Sequence, residues 1–142
     1  RDRYGRSDAT INRRGLRLGS SEIYRAVESL PEVVDSLVVD LEYLNRNSNM
    51  TLFVVLCTDI ELSEDLKEKI RGVIKSAISA RFVPDEIIKI YEVPRTLSGK
   101  KLEVPVKKLL LGSDPKTVVN RDSMANPSSF EFFINFARHL TL

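Results

Sequence analysis

The sequence predicts an α+β domain: a small N-terminal β-hairpin, a mixed three-stranded sheet covered by helices, and a C-terminal helical extension. Three observations lead to this fold class. The predicted elements follow in the order hairpin, helix, two strands, helix, strand, helix, helix. The apolar runs 36–44 and 51–58 are joined by a short polar turn, so they should pair antiparallel. The 142 residues are 42% hydrophobic and 30% charged, which is ordinary for one globular domain with one core.

The N-terminal part is predicted to contain the hairpin and a first helix. Residues 10–12 and 16–18 alternate apolar and polar side chains around Gly15, which is suited to the turn. The serines at 20–21 are typical helix N-caps, and Pro31 should end the helix that follows them.

A second helix is predicted most strongly, beginning at the N-cap Ser63. Its apolar residues recur with a 3.6-residue period: Leu66, Ile70, Val73, Ile74, Ala77 and Ile78. Residues 82–84 should interrupt it, and residues 87–91 are predicted to form the third strand.

The C-terminal part is predicted to contain two more helices. Residues 104–111 fit a short helix with proline tolerated in its first turn. Residues 112–128 have the glycine and prolines typical of a connecting loop. Ser128 or Ser129 should cap a last helix over residues 130–140, whose phenylalanines need a partner surface.

The charge is concentrated locally rather than spread over the chain. The net charge is only +2, so no overall field favours nucleic acid or a membrane surface. Residues 1–17 hold six arginines, and residues 95–108 hold five cationic side chains against Glu103 alone. These two segments form either one anion-binding face or two ordinary solvated surfaces, and both interpretations are open at this stage.

Three further features bear on setting. No apolar run approaches the roughly 20 residues that span a bilayer, and no signal peptide opens the chain, so a cytosolic setting is the default expectation. The single cysteine, Cys57, is expected to be a small buried hydrophobe. Because the chain opens at Arg1 without an initiator methionine, we expect it to be a piece of a longer protein.

The loop 94–101 is the strongest candidate for function. Proline fixes its start, Gly99 permits close backbone approach, and Lys100 supplies a mobile cation. A nucleotide-binding P-loop is excluded, because that motif needs glycine where Pro94 stands and serine or threonine where Lys101 stands. The remaining alternatives are a lysine that serves a phosphate or carboxylate and a plain surface turn.

Four segments in order resemble one protein family. They are Gly5-Arg6-Ser7-Asp8, Gly15-Leu16-Arg17-Leu18, Ser21-Glu22-Ile23-Tyr24 and Pro94-Arg95-Thr96-Leu97-Ser98-Gly99-Lys100. Over residues 5 to about 111, the chain resembles the C-terminal domain of adenylate-forming acyl-CoA synthetases. Residues 5–12, residues 99–108 and the tail after Gly112 resemble the acetoacetyl-CoA synthetase branch of that family.

The resemblance implies a domain organisation and a reaction. Residues 1–8 would be the hinge from a missing N-terminal adenylation domain, residues 9–111 the mobile domain, and residues 112–142 a C-terminal extension. Such enzymes join acetoacetate to the α-phosphate of ATP, release pyrophosphate, and then pass the acyl group to coenzyme A. The N-terminal domain of the same polypeptide would bind most of these substrates and Mg²⁺, so we expect the fragment alone to be inactive.

The resemblance also implies roles for individual residues. Lys100 would bridge the carboxylate and the α-phosphate during adenylation, and Asp8 would be the hinge about which the domain rotates. The remaining assignments are Arg6 and Arg17 to ATP or the adenylate, and Gly15, Arg14 and Lys75 to coenzyme A. No residue of this chain is assigned to a metal. For Lys75, an ordinary solvated helix lysine is an equal alternative.

Two departures from the family pattern and two rival functions accompany this interpretation. Ala9 stands where relatives often have a second acidic hinge residue, and Arg95 replaces a common lysine at a position expected to be exposed. The rivals are the same domain of an acetyl-, propionyl- or other short-chain acyl-CoA synthetase and a stand-alone nucleic-acid-binding module. The second rival needs exposed aromatic side chains near the basic loop, where only Tyr91 is expected.

Overall fold

A computed structural model describes the backbone of residues 10–13, 16–41 and 49–139, and the side chains of residues 11, 18–41 and 50–138. The strands are β1 (Thr10–Arg13), β2 (Leu16–Gly19), β3 (Val33–Leu41), β4 (Asn49–Leu56) and β5 (Glu86–Ile90). The helices are α1 (Ser20–Val27), α2 (Glu64–Ala77), α3 (Glu103–Leu110), α4 (Pro115–Val118) and α5 (Ser129–His139). Two short 3-10 helices cover Ala80–Phe82 and Arg121–Ser123.

The strands form the two sheets that the sequence predicts. β1 and β2 pair as an antiparallel hairpin, and the predicted turn residue Gly15 lies outside the described residues. In the second sheet, the strand order is β3-β4-β5, with β3 antiparallel and β5 parallel to β4. The expected α+β fold and mixed sheet are therefore confirmed. β3 begins at Val33, earlier than expected, and an irregularity in its register lies between Val33 and Asp35.

Alternating side chains give the central sheet two apolar faces, each covered by helices. On one face, even-numbered residues of β3 and β4, such as Val38 and Leu52, pack with α1 and α2. On the other face, odd-numbered residues, such as Val39 and Phe53, pack with α3 and α5. Phe53 lies edge to face with the buried Phe133 at a centroid distance of 5.0 Å. The extension after residue 112 is thus part of the second core.

The first two helices differ in how they begin. Ser63 caps α2 as predicted, because its hydroxyl oxygen accepts a hydrogen bond from the Leu66 amide at 3.2 Å. The predicted cap of α1 is wrong: Gly19 occupies that position, and no side chain caps the helix. Ser20 is instead the first helical residue, and its hydroxyl donates to the Glu103 carboxylate. A long-range partner therefore replaces the local capping bond.

The segment 112–128 is more ordered than a connecting loop. It contains α4, whose first turn is capped by the Asp114 carboxylate at 2.9 Å from the Lys116 amide, and the second 3-10 helix. Thr96 and Met124 form an isolated antiparallel bridge, so the segment pairs with the 94–101 loop. This segment is ordered because it pairs with a distant part of the chain, and its glycine and proline content gives no sign of that pairing.

Two smaller observations complete the fold. Cys57 follows β4 and is partly exposed, with its thiol 3.3 Å from the Pro31 carbonyl oxygen, so the expectation of a buried cysteine is wrong. Among the described residues, no helix is long and apolar enough to cross a bilayer.

Candidate functional site

The loop 94–101 is a tight turn that holds Lys100 at a fixed place. The Thr96 amide donates to the Lys100 carbonyl at 2.9 Å, and the Gly99 amide donates back to the Thr96 carbonyl at 2.9 Å. The Lys100 amide also donates to the Thr96 hydroxyl oxygen at 3.1 Å. Gly99 has φ +93°, in the left-handed region that favours glycine, so this position explains the Ser-Gly-Lys sequence.

The base of the loop is an ion-pair network of two cations and two carboxylates. The Lys101 ammonium lies 2.7 Å from a carboxylate oxygen of Glu28 and 3.3 Å from one of Asp35. The Arg95 guanidinium lies 2.6 Å from the other oxygen of Asp35 and donates to the Gly99 carbonyl at 2.7 Å. The expectation that Arg95 is exposed is therefore wrong: only 33% of its side chain is exposed. These four charges cancel one another.

A buried hydroxyl-carboxylate cluster lies beneath this network. The Tyr24 hydroxyl donates to the Glu103 carboxylate at 2.5 Å and accepts from the Val38 amide at 3.2 Å. The Lys101 ammonium lies 3.4 Å from the centroid of the Tyr24 ring, a cation-π contact. Burial first, and then the negative charge of Glu103, raise the pKa of Tyr24 well above its usual value of 10.0. Tyr24 therefore stays protonated and remains a donor at neutral pH.

Lys100 differs from its two cationic neighbours. Its side chain is exposed, and within the described part of the chain its ammonium forms no ion pair. It lines an open hollow of about 270 Å³ together with Ser21 and Gly99. Because Arg95 and Lys101 are held by carboxylates, Lys100 is the cation of the loop that is available for a phosphate or carboxylate.

The other predicted site residues are described unevenly. Lys75 lies in the last turn of α2, exposed, in the helical layer on the opposite face of the sheet from α3. It does not line the hollow beside Lys100. Arg17 is paired with Asn12 in the β-hairpin, but its side chain lies outside the described part.

The remaining predicted site residues, Asp8, Arg6, Arg14 and Gly15, also lie outside the described residues. Within residues 10–13, 16–41 and 49–139, no group of three histidine, cysteine, aspartate or glutamate side chains is placed to hold a metal ion.

Sequence reasoning missed the residues that support the loop. The Tyr24 ring contacts the Lys101 ammonium of the basic loop, where Tyr91 was the only aromatic residue expected. Tyr24 and Glu28 are four residues apart on or next to α1, a spacing that places them on one helix face. Glu103, a carboxylate with 5% exposure that opens an apolar helix, was the other available signal. The pairing of Lys101 with Glu28 spans 73 residues and has no local signature.

Comparison with known proteins gives one consistent group of relatives. No protein-family model matches the chain. The chain is 43% identical over 131 residues to an acetoacetyl-CoA synthetase of Danio rerio, and 38% identical over 130 residues to an acetoacetyl-coenzyme A synthetase of Rhizobium meliloti (strain 1021). Each alignment covers 92% of this chain and 19% of the relative. The chain therefore spans about a fifth of the length of the curated relatives that it matches.

Solved structures agree with this result. A structure of acetoacetyl-CoA synthetase from Streptomyces lividans superimposes on 96% of this chain, with a TM-score of 0.86, 42% sequence identity and coverage of 20% of that structure. An acyl-CoA synthetase from Brucella canis superimposes on 68% of the chain, with a TM-score of 0.61, 31% identity and coverage of 18% of that structure. The second match covers less of this chain, as expected if part of the chain is specific to the first group.

Proposed function

Because this chain is homologous over 92% of its length to a segment of the acetoacetyl-CoA synthetases, we propose that it is the mobile C-terminal domain of such an enzyme. The enzyme would be an acid–thiol ligase that activates acetoacetate with ATP and transfers the acyl group to coenzyme A. The names of the relatives favour acetoacetate over acetate or propionate. A nucleic-acid-binding module is not favoured, because the phenylalanines at 53, 130 and 133 are buried in the core.

The observation that carries the proposal is the Lys100 ammonium, which forms no ion pair within the described part of the chain, on a loop whose other cations are neutralised. Adenylation brings a carboxylate oxygen to the α-phosphorus of ATP, forms an O–P bond and releases pyrophosphate. The two reactants are both anions, so they repel each other as they approach. An ammonium between them offsets that repulsion and orients both groups, which lowers the barrier.

The loop supports this role in two ways. Its tight turn fixes the backbone of Lys100, while the long side chain remains free to reach into a partner domain and to withdraw. The ion pairs of Arg95 and Lys101 prevent those cations from competing with Lys100 for the same anions. The domain would thus present one cation at one place.

The resemblance supports the other roles within this proposal. Asp8 would be the hinge between the two reaction steps, and Arg6 and Arg17 would contact ATP or the adenylate. Gly15, Arg14 and Lys75 would contact coenzyme A after rotation. By the same resemblance, Mg²⁺ would be held mainly by the N-terminal adenylation domain, and its charge would neutralise the phosphates there. A cytosolic location stays a prediction.

The test is Lys100→Ala in the complete enzyme, with Lys108→Ala, an exposed lysine on α3, as the matched control. Acetoacetate-dependent pyrophosphate release should fall by about 10²–10³-fold, the loss typical of a preorganised charge-stabilising group. Thioester formation from supplied acyl-adenylate should stay within twofold of wild type. If Lys100→Ala leaves both half-reactions near wild type, the assignment of Lys100 fails.

The 142-residue chain by itself should not release pyrophosphate from ATP and acetoacetate. It would supply one lysine and a hollow of about 270 Å³, while the acyl and nucleotide pockets would lie on the partner domain. Detectable acetoacetate-dependent release by the purified chain would contradict the proposed division of labour between the domains.

A further inference from the structure

The segment 123–126 in the extension runs along one edge of the Lys100 loop. The Leu97 amide donates to the Ser123 carbonyl at 3.0 Å, and the Ala125 amide donates to the Arg95 carbonyl at 3.0 Å. These are the two hydrogen bonds of a single antiparallel bridge, so the loop and the extension are joined as if by a very short sheet.

The Asn126 side chain forms two further hydrogen bonds to the backbone on either side of Pro94. Its carbonyl oxygen accepts from the Arg95 amide at 3.0 Å, and its amide group donates to the Val93 carbonyl at 2.9 Å. Between these two positions stands Pro94, which has no N–H to donate. Asn126 therefore holds the chain on both sides of the proline that opens the loop.

Asn126 is in turn fixed by the second core. The backbone carbonyl oxygen of Asn126 accepts from the Ser129 amide at 3.0 Å and from the Ser129 hydroxyl at 2.6 Å, at the first turn of α5. Phe130 of that helix and Met124 are buried in the same cluster as Val93, which directly precedes the loop. The segment is therefore a rigid link between the core and the loop.

We propose that residues 123–126 position the Lys100 loop for adenylation, with Asn126 as the positioning residue. This inference rests on the proposed function of Lys100. The four hydrogen bonds hold one edge of the loop, and the ion pairs of Arg95 and Lys101 hold the other. Lys100 then reaches the same point each time the domain docks. Precise placement matters, because a shift of about 1 Å in a catalytic group costs on the order of 10²-fold in rate.

The test compares Asn126→Ala with Asn120→Ala in the complete enzyme. Asn120 is the matched control, since its side-chain oxygen accepts from the nearby Asp122 amide at 2.9 Å, a hydrogen bond within the same segment. Asn126→Ala should lower acetoacetate-dependent pyrophosphate release by about 10- to 100-fold. It should leave thioester formation from supplied acyl-adenylate within twofold, and Asn120→Ala should change neither.

A second measurement follows the loop directly in the 142-residue chain. Amide hydrogen exchange at Arg95 and Leu97 should be about tenfold faster in Asn126→Ala than in wild type, and unchanged in Asn120→Ala. If Asn126→Ala does not fold, Asn126→Asp replaces it. That variant keeps the acceptor for the Arg95 amide and loses the donor to Val93, so it should show a smaller loss confined to adenylation.

The outcomes separate the two proposals. If Lys100→Ala abolishes adenylation but Asn126→Ala leaves it at the wild-type rate, the positioning role is wrong. The positioning role is also wrong if both half-reactions fall in equal proportion, because a purely structural residue would lower the amount of active enzyme for both. If Lys100→Ala leaves adenylation unchanged, the proposed role of Lys100 fails, and the positioning role fails with it, whatever Asn126→Ala does.

Discussion

Removing one hydroxyl group, with Tyr24→Phe, tests whether the buried cluster under the loop stabilises the domain. The substitution keeps the aromatic ring against the Lys101 ammonium and deletes two hydrogen bonds. The Glu103 carboxylate then loses a donor, and the Val38 amide, on the outer strand of the sheet, loses its acceptor. A buried group left without its partner costs about 1–3 kcal/mol, and the Glu103 carboxylate keeps the Ser20 hydroxyl as a donor, so we expect the free energy of unfolding to fall by about 2–4 kcal/mol.

The assay is denaturant unfolding of the 142-residue chain, with Tyr91→Phe as the matched control. Tyr91 is 86% exposed, so its hydroxyl is solvated in both the folded and unfolded states. The control should change stability by no more than about 0.5 kcal/mol. If Tyr24→Phe costs as little as Tyr91→Phe, the hydroxyl does not stabilise the cluster and the reasoning is refuted.

The pH dependence of the same pair of variants gives an independent check. The pKa of Tyr24 is raised in the folded state, so the folded domain holds this proton more firmly than the unfolded chain does. The resulting stability is fully present below pH 10 and is lost as pH rises above 10 toward the folded pKa, by at most about 1.4 kcal/mol per pH unit. The stability difference between wild type and Tyr24→Phe should therefore shrink above pH 10. A constant difference between pH 9 and 11.5 would contradict the assigned cause.

Two further substitutions test the ion-pair network and the second core. Lys101→Met should lower the free energy of unfolding by about 1–3 kcal/mol, because it leaves the partly buried Glu28 and Asp35 carboxylates without this partner. Lys108→Met, at an exposed position of α3, is the control. Equal losses from both substitutions would contradict the stabilising role of the ion-pair network. Phe133→Ala should lower the free energy of unfolding by about 3–5 kcal/mol in the same assay, since Phe133 is fully buried against Phe53. Phe132→Ala, at a 36% exposed position, should lower it clearly less. The opposite order would show that α5 packs differently.

The elements that sequence predicts well are those with local signals. Ser63 followed by apolar residues with a 3.6-residue period defines α2, and both its cap and its buried stripe are present. The strands on either side of the polar turn pair as expected. The position of Lys100 after a glycine in the left-handed region is likewise encoded within eight residues. In each case the determining interactions lie within a few residues of one another.

The features that sequence reasoning missed depend on contacts between distant residues. Ser20 looks like a cap, but a buried carboxylate 83 residues away is a stronger partner for its hydroxyl than a helix amide. Arg95 was expected to be exposed, and only the fold brings Asp35 to it across 60 residues. The 112–128 segment has loop composition, and its order depends on pairing with residues 95–97. A single sequence holds no local record of such partners.

The extension is hydrogen-bonded to backbone atoms of Arg95 and Leu97 in the loop and of Val93, which directly precedes it. The side chain of Leu97 is 71% exposed and takes no part in these hydrogen bonds. Position 97 is therefore free to change without loosening the attachment. The side chain at position 97 can change, by natural drift or by directed evolution, and alter what the outward face of the loop contacts. The backbone hydrogen bonds to the extension would still hold Lys100 in its place.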